Sequence, residues 1–341
     1  AVLLEYIPPP VRLCLIGAGP DAEPLAAAGL ARGWQVIVCD HRPALLQATR
    51  FAGPHPASLV TVNALLWPDA RMDQAGAFGE ATRTTDAGSA TIGLRVDRFR
   101  AQARRADQRP SPMAVPPSAL YAMYYGASND RWGDTGVSGL LRWEQPLAKG
   151  VTVFTGLSRT VRAADATERY LASPGATPPA RWIGNPGLDL ETHHQLDLGL
   201  AWEGDKGGAS AVLFADRVRD YILRDRARGQ DGVRLADGAS IYRNVDARLH
   251  GVEVEARWQW TPTLTIEAEA AWVRGENRSD DRPLAQIPPL NGALALAWQS
   301  AAGEWKARAR GASRQDRVDD SVASGSGLDA GPTPGFGVLD L

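Results

Sequence analysis

Apolar and polar residues alternate with a period of two over most of the chain from about Trp67 onward. In "GVEVEARWQW", Val252, Val254, Ala256, Trp258 and Trp260 fall on one face, and Glu253, Glu255, Arg257 and Gln259 on the other. "LTIEAEAAW" sets Leu264, Ile266, Ala268, Ala270 and Trp272 against Thr265, Glu267 and Glu269. "QLDLGLAW" (195–202) and "SATIGLRVD" (89–97) behave alike. Such alternation predicts strands with one apolar and one polar face. We place them near 69–84, 89–106, 135–148, 151–168, 193–204, 207–226, 248–260, 263–278, 290–300 and 303–320, with an eleventh starting at Gly335. The links after the odd-numbered strands are short: "TDAG", "KG", the "GDK" region, "TPT" and "SAAG". The links after the even-numbered strands are long, polar and rich in Gly, Pro, Asp or Arg. Short turns on one side and long loops on the other are the pattern of an outer-membrane β-barrel. Trp143, Trp202, Trp258, Trp260, Trp298 and Trp305 all lie within a few residues of a short turn. On a barrel they form one girdle at the periplasmic interface, where an amphipathic ring is favoured. A sandwich core would not gather them at one end.

The first sixty residues carry a different pattern. "VRLCLIG" (11–17) fits a buried strand, "AEPLAAAGLARG" (22–33) a helix, and "WQVIVCD" (34–40) a second buried strand. Gly17, Gly19 and Ala22 match the G-x-G-x-x-G/A spacing, and Asp40 follows about where a ribose-binding acid is expected. Gly17 would allow a tight turn, and Gly19 would let backbone approach a pyrophosphate at the helix start. The unit lacks the neighbouring strands that form a ligand crevice. It is therefore expected to bind an NAD-type nucleotide poorly, and no cofactor is assigned. Cys14 and Cys39 are read as inert thiols of buried strands.

The chain has 341 residues, 44% of them hydrophobic and 22% charged, which excludes wholesale disorder. A net charge of −2 with no basic cluster gives no reason to expect a nucleic-acid partner. Two cysteines make neither a disulfide framework nor a zinc pattern. No apolar run of transmembrane-helix length appears, and "AVLLEYIPPP" has no signal-peptide features. None of the five histidines (His41, His55, His193, His194, His250) sits in a catalytic motif, so the chain is not read as an enzyme. The Glu253, Glu255, Glu267 and Glu269 stripe fits a wet barrel interior.

Two resemblances add to this reading. "RWIGNPGLDLETHHQLDLGLAW", "IYRNVDARLHGVEVEARW" and "LAQIPPLNGALALAW", followed in order by "ASRQDRV" and "TPGFGVLDL", resemble segments of TonB-dependent outer-membrane receptors. "YILRDR" and "ENRSDDRPLAQIPP" look most like the copper-receptor branch. The resemblance spans about residues 64–341. It implies energised uptake of a metal or metal chelate, with outer-membrane lipid and TonB as partners. The family's plug with its TonB box, and about half the barrel strands, are not recognised, so this chain by itself is not expected to transport. "PPPVRLCLIGAGPDAEPLAAAGLARGWQVIVCDHRP" with Arg50 and Phe51 is similar to the start of the Rossmann domain of XdhC/CoxI-type xanthine dehydrogenase accessory proteins. That likeness implies, as the alternative, a cytoplasmic factor for maturing molybdenum-cofactor enzymes.

The expected fold is thus mainly β. An antiparallel meander over 61–341 forms a partial, open transmembrane β-barrel, preceded over 1–60 by a short Rossmann-like βαβ fragment. The two pieces are expected to be a chimera joined near 57–66. Candidate copper ligands are Met113 and Met123 in a long loop and His193 and His194 at a strand start, since thioether and imidazole suit copper. The pairs Asp280–Asp281 and Asp319–Asp320 fall on long loops, solvated or holding divalent cations near lipopolysaccharide.

Overall fold

The computed structural model describes residues 11–40, 43–52, 57–61, 66–109 and 115–341. Met113, His41, His55 and residues 62–65 of the expected junction lie outside them. Contacts divide the chain into two units, residues 1–66 with 108–116, and residues 67–107 with 117–341.

In the small unit β1 (Arg12–Ile16), helix α1 (Ala22–Ala31), β2 (Gln35–Asp40) and β3 (Ser58–Thr61) build a parallel sheet in the order β1-β2-β3. Gly17 takes a left-handed φ of +108°, which turns the chain out of β1. Gly29 lets α1 approach the sheet, since a Cβ there would come within 2.9 Å of Val36. Ala22, Ala26 and Leu30 of α1 share a core with Val36, Val38 and Phe51. Among the described residues only this face of the sheet is covered. Cys14 is therefore exposed and Cys39 half-buried, which corrects the expectation of two buried thiols.

The large unit contains β4 (Ala70–Thr85), β5 (Gly88–Ala103), helix α2 (Pro117–Tyr125), β6 (Arg131–Ala148), β7 (Val151–Arg162) and helix α3 (Ala166–Tyr170). The short β8 (Ala172–Ser173) and β9 (Trp182–Ile183) follow, then β10 (Glu191–Gly204), β11 (Gly207–Arg226), β12 (Ser240–Thr261), β13 (Leu264–Asn277) and the short β14 (Arg282–Pro283). The chain ends with β15 (Asn291–Ser300), β16 (Gly303–Ala312) and β17 (Phe336–Asp340). The long strands pair in sequence order from β4 to β17, each antiparallel to the next. Among the described residues no ladder joins β17 to β4, so the sheet is open, with these two strands at its edges.

Register aligns the apolar positions across strands. Leu141 lies beside Leu157, Leu157 beside Leu196, and Leu198 beside Leu213. Leu213 is followed by Val252, and Ala268 by Leu294. Val252 is half-buried and the others stay exposed, Leu157 at 56% and Leu198 at 50%. The face they form covers nothing in the unit itself.

The clustered cores lie at the opposite end from the turns, among the long connections. Leu120, Tyr121 and Tyr124 of α2 pack with Tyr170, Ile183, Val233 and Ile241. Tyr121 donates its hydroxyl to the Tyr170 carbonyl at 2.5 Å, and Tyr125 to that of Ile183 at 2.9 Å. Five strand expectations change here, the one expected from 135 beginning at Arg131. The strand expected over 151–168 stops at Arg162, because Asp165 caps α3: its carboxylate accepts from the Thr167 and Glu168 amides, and Glu168 reaches back to the Asp165 amide. The strand expected over 303–320 stops at Ala312. The strand expected from Arg248 begins at Ser240, because its first residues are buried in the cap and do not alternate. The strand expected to run to 106 ends at Ala103.

Candidate functional site

The polar face of the wall carries an ion-paired ladder. Glu255 of β12 lies opposite Glu269 of β13, and Arg257 opposite Glu267. Next to them β15 presents Ala293 and Ala295, too short to fill the face. Long side chains of β16 therefore cross it: Lys306 Nζ lies 2.7 Å from Glu267 Oε2, and Arg308 pairs with Glu269. A trough of about 590 Å³ runs over these groups. The four glutamates expected to form a polar stripe thus share one face with cations that balance two of them.

Further toward the long connections, the polar face holds a tighter cluster. His193 donates from Nδ1 to Asp216 Oδ2 at 2.6 Å and from Nε2 to Glu191 Oε1 at 3.0 Å. Glu191 also accepts from Arg162 at 3.0 Å and from the Ile222 amide at 2.7 Å. Arg162 in turn holds Glu168 at 2.8 Å. This cluster lies beyond the apolar stretch, because the apolar-face positions beside it are Thr192, His194, Arg217 and Arg219. The bond to Asp216, then that to Glu191, raises the imidazole to about 9 against the opposing effect of burial. Burial would raise the Glu191 carboxyl, but His193, Arg162 and the Ile222 amide outweigh it and hold it down to about 2. With both ring nitrogens donating, His193 is an imidazolium and a poor metal ligand.

Of the expected copper ligands, His193 and His194 are not brought together, and Met113 lies outside the described residues. His193 and His194 are neighbours in a strand and point to opposite faces, His194 being exposed on the apolar side. Met123 sits on α2, in a segment expected to be loop. Among the described residues no group of three or more His, Cys, Asp or Glu could hold a metal ion.

The acidic pairs behave differently from solvated loops. Asp319 is 3% exposed and pairs with Arg282. Asp280 pairs with Arg243 and with Arg282 at 3.1 Å. Both arginines also meet Asp225 at 2.8 Å, a carboxylate only 1% exposed. Their second members differ, Asp281 being 91% exposed. The charge of Asp280 and Asp319 goes into pinning the loops, whereas Asp281 and Asp320 stay exposed.

The six tryptophans lie toward the turn rim. Trp202 pairs with Val151, the first residue of β7, and stacks on Trp258 at 5.6 Å. Trp298 and Trp305 are direct cross-strand partners. Trp143 is 38% exposed and Trp260 64%, so they share no buried core.

In the small unit, Asp40 is 4% exposed and accepts from the Ala18 amide at 2.7 Å. Its carboxylate braces the Gly17 turn rather than facing solvent as a ribose ligand would. A Cβ on Gly19 would sit 2.9 Å from Asp21 Oδ1, so the open side of this glycine faces an acid. Arg50 closes the turn from beyond, bonding the Ala18 carbonyl at 3.1 Å and Glu23 at 2.7 Å.

Sequence reasoning missed Glu191, Asp216, Arg162, Asp225, Arg243 and Arg282. The first two were within reach. Counting back from the Gly204–Gly207 turn puts Asp216 opposite Gln195, diagonal to His193. The others join through long connections whose course no local pattern specifies.

A family model described as "TonB dependent receptor-like, beta-barrel" matches residues 42–341. It begins inside residues 1–60, the expected Rossmann-like fragment. Among solved structures, the chain is similar to the copper transporter OprC, at 30% identity and TM-score 0.63, over 80% of this chain and 39% of that one. It is similar in fold to the ferric yersiniabactin uptake receptor FyuA from Yersinia pestis, at 15% identity and TM-score 0.53, over 80% and 38%. The FrpB iron transporter from Neisseria meningitidis (F3-3 variant) matches at 15% identity and TM-score 0.53, over 79% and 38%. The chain spans less than half the length of each of these structures.

Proposed function

Because the chain belongs to the TonB-dependent receptor β-barrel family, we propose that residues 67–341 form part of the wall of an outer-membrane receptor that takes up a metal or metal chelate, energised through TonB. The carrying observation is the pair of faces on one sheet. One is a ladder of exposed leucine and valine ending in tryptophans, suited to lipid, and the other is a charged ladder suited to a water-filled interior. Copper is the preferred cargo, since the copper transporter is 30% identical and the two iron receptors 15%. That preference does not rest on His193 or His194, whose geometry makes no site. The reading is a transporter's, and no catalytic residue is assigned.

No nucleotide is assigned to the small unit. The engagement of Asp40 by the Ala18 amide and the acid beside Gly19 support this reading. The cytoplasmic accessory-factor alternative rests on residues 1–60 alone, whereas the family match covers residues 42–341.

Cell fractionation of the full chain tests the location: recovery in the outer membrane is expected, and recovery in the cytosol would sink the proposal. Metal analysis of the protein extracted from cells grown with equal copper and iron tests the cargo. An excess of bound copper is expected, and iron enrichment would overturn the choice.

A further inference from the structure

The small unit holds both cysteines of the chain, and its register brings them together. Parallel pairing sets Cys14 of β1 beside Ile37 of β2, and Ile16 beside Cys39. These four side chains make a square, with the sulfurs on one diagonal and the isoleucines on the other. Alternation sends Leu13, Leu15, Val36 and Val38 to the face packed under α1. The square therefore lies on the opposite face, where Cys14 is exposed and Cys39 half-buried. Burial, then the neighbouring Cys14 thiol, raise the Cys39 thiol above its ordinary range, so the two groups feel each other across the diagonal.

The length of the diagonal decides what the pair can do. Strands ~4.8 Å apart and a two-residue rise of ~6.6 Å put the two Cα atoms about 8 Å apart. A disulfide needs Cα atoms within ~7 Å and sulfurs at ~2.05 Å, so closing one would pull the strands out of register. A metal ion between the sulfurs asks for less. Two metal–sulfur bonds of ~2.3 Å in line leave the sulfurs ~4.6 Å apart. A structural zinc takes four ligands, whereas among the described residues no group of three or more His, Cys, Asp or Glu could hold an ion. Two thiolates alone suit a soft ion content with two donors, and thiolate softness selects Cu(I).

We infer that Cys14 and Cys39 form a two-coordinate thiolate site for Cu(I) on the open face of the small unit. On binding, each S–H bond breaks and each sulfur bonds to copper, so two protons pass to solvent and no electron moves. The complex carries one net negative charge. Arg12 shares this face two residues before Cys14, with its Nε donating to Gln35 Oε1 at 3.1 Å, and its guanidinium offsets that charge. Ile16 and Ile37 flank the ion with apolar surface. The site rests on the thiol pair alone and not on the cargo proposed above.

The test titrates the full chain, reduced and refolded in detergent without oxygen, with Cu(I) held by bicinchoninate. The expected result is transfer of one Cu(I) per chain, with thiolate-to-copper charge-transfer absorption in the ultraviolet. At about pH 6.5, where ordinary thiols keep their protons, two protons appear per ion; thioether binding would release none. Cys14→Ser and Cys39→Ser each lose the transfer, and Zn(II) is not retained. X-ray absorption at the copper edge of the loaded wild type needs no variant to fold, and it should read two sulfur neighbours. A third neighbour, or nitrogen in place of sulfur, overturns the site. So does transfer that survives in the double Ser variant, or Zn(II) held as tightly as Cu(I). Rapid closure of the two thiols to a disulfide with a mild oxidant overturns the spacing on which the site depends. Running the cellular metal analysis on the double Ser variant keeps cargo copper apart from copper held here, so either proposal can fail without the other.

Discussion

The same strands obey different rules at their two ends. Between the turns and Leu196, each residue faces one of two environments, and the wall buries almost nothing of its own. The exposed Leu198 and the Glu267–Lys306 pair stand on opposite sides of one sheet. Beyond Leu196 the long connections fold back, and Tyr121, Tyr170, Ile183 and Ile241 bury completely. Charges are buried there too, with Asp225 between Arg243 and Arg282. The wall is thus a structure that takes its stability from its surroundings, and the cap is a small globular core built on top of it. Pairing along the ladders holds the first, while packing and buried charge hold the second. Substitutions should separate the two.

The largest effect is expected in the cap. Asp225→Ala removes a carboxylate 1% exposed that Arg243 and Arg282 each hold at 2.8 Å, and leaves those two arginines to Asp280 and Asp319. Breaking a buried ion pair costs about 3–5 kcal/mol, the upper bound where other carboxylates remain. Limited proteolysis should then cut the connections around 227–239 and 278–284, while the β12–β13 wall segment stays protected. Uniform loss of protection across the wall would show that cap and wall unfold as one body.

This division also explains what the sequence displayed. The strand over 207–226 agrees at both ends with β11, and those near 263–278 and 290–300 agree to within a residue with β13 and β15, because a period of two with a short turn fixes both face and register. The open sheet was expected from the family resemblance, which recognises only about half the strands of a barrel, and not from the alternation; its second edge was expected near 303–320 or 335–341 and is β17. The cap was not. "SIYRNVDARL" belongs to β12, but residues there are covered on both faces, so alternation fades. The α3 helix did leave a local signal, Asp165 followed by Glu168, which a search for capping boxes would have found. The cap's ion network left none, since Asp225, Arg282 and Asp319 are far apart in the chain and meet only through loop geometry. Of the candidate site, the polar stripe was legible in part, and the partners of His193 only through register.

A smaller effect is expected in the wall. Leu198→Arg places a charge midway between Trp202 and His194 on the apolar face, which at the centre of a bilayer costs about 2–4 kcal/mol. Urea titration of the protein refolded in vesicles should show a lower midpoint. The same change should cost far less in a soluble assay of the cap, such as the proteolysis pattern of 227–239. If Leu198→Arg is tolerated in vesicles, the apolar face does not meet lipid and the comparison of wall with cap fails at its root.

The smallest effect tests the border between the two regions, where His193 bridges Asp216 and Glu191. Its pKa is raised from 6.5 to about 9, so the folded state holds its proton more tightly than the unfolded chain. The stabilisation is therefore complete below about pH 6.5 and is lost as pH rises through 9. Glu191 works the other way. Its pKa is lowered from 4.5 to about 2, so its contribution is present above 4.5 and lost as pH falls through 2. Both contributions describe one cluster and overlap between about pH 4.5 and 6.5, where the border should be firmest. Allowing for the 27% exposure of the imidazole, the change across the alkaline limb is about 2 kcal/mol. Thermal melts in detergent from pH 6 to pH 10 should fall through that range for the wild type. His193→Gln should start lower and stay flat over the same interval, because it carries no proton to lose. A wild-type melt that does not change between pH 6 and 10 would mean the imidazolium contributes nothing to the join between wall and cap.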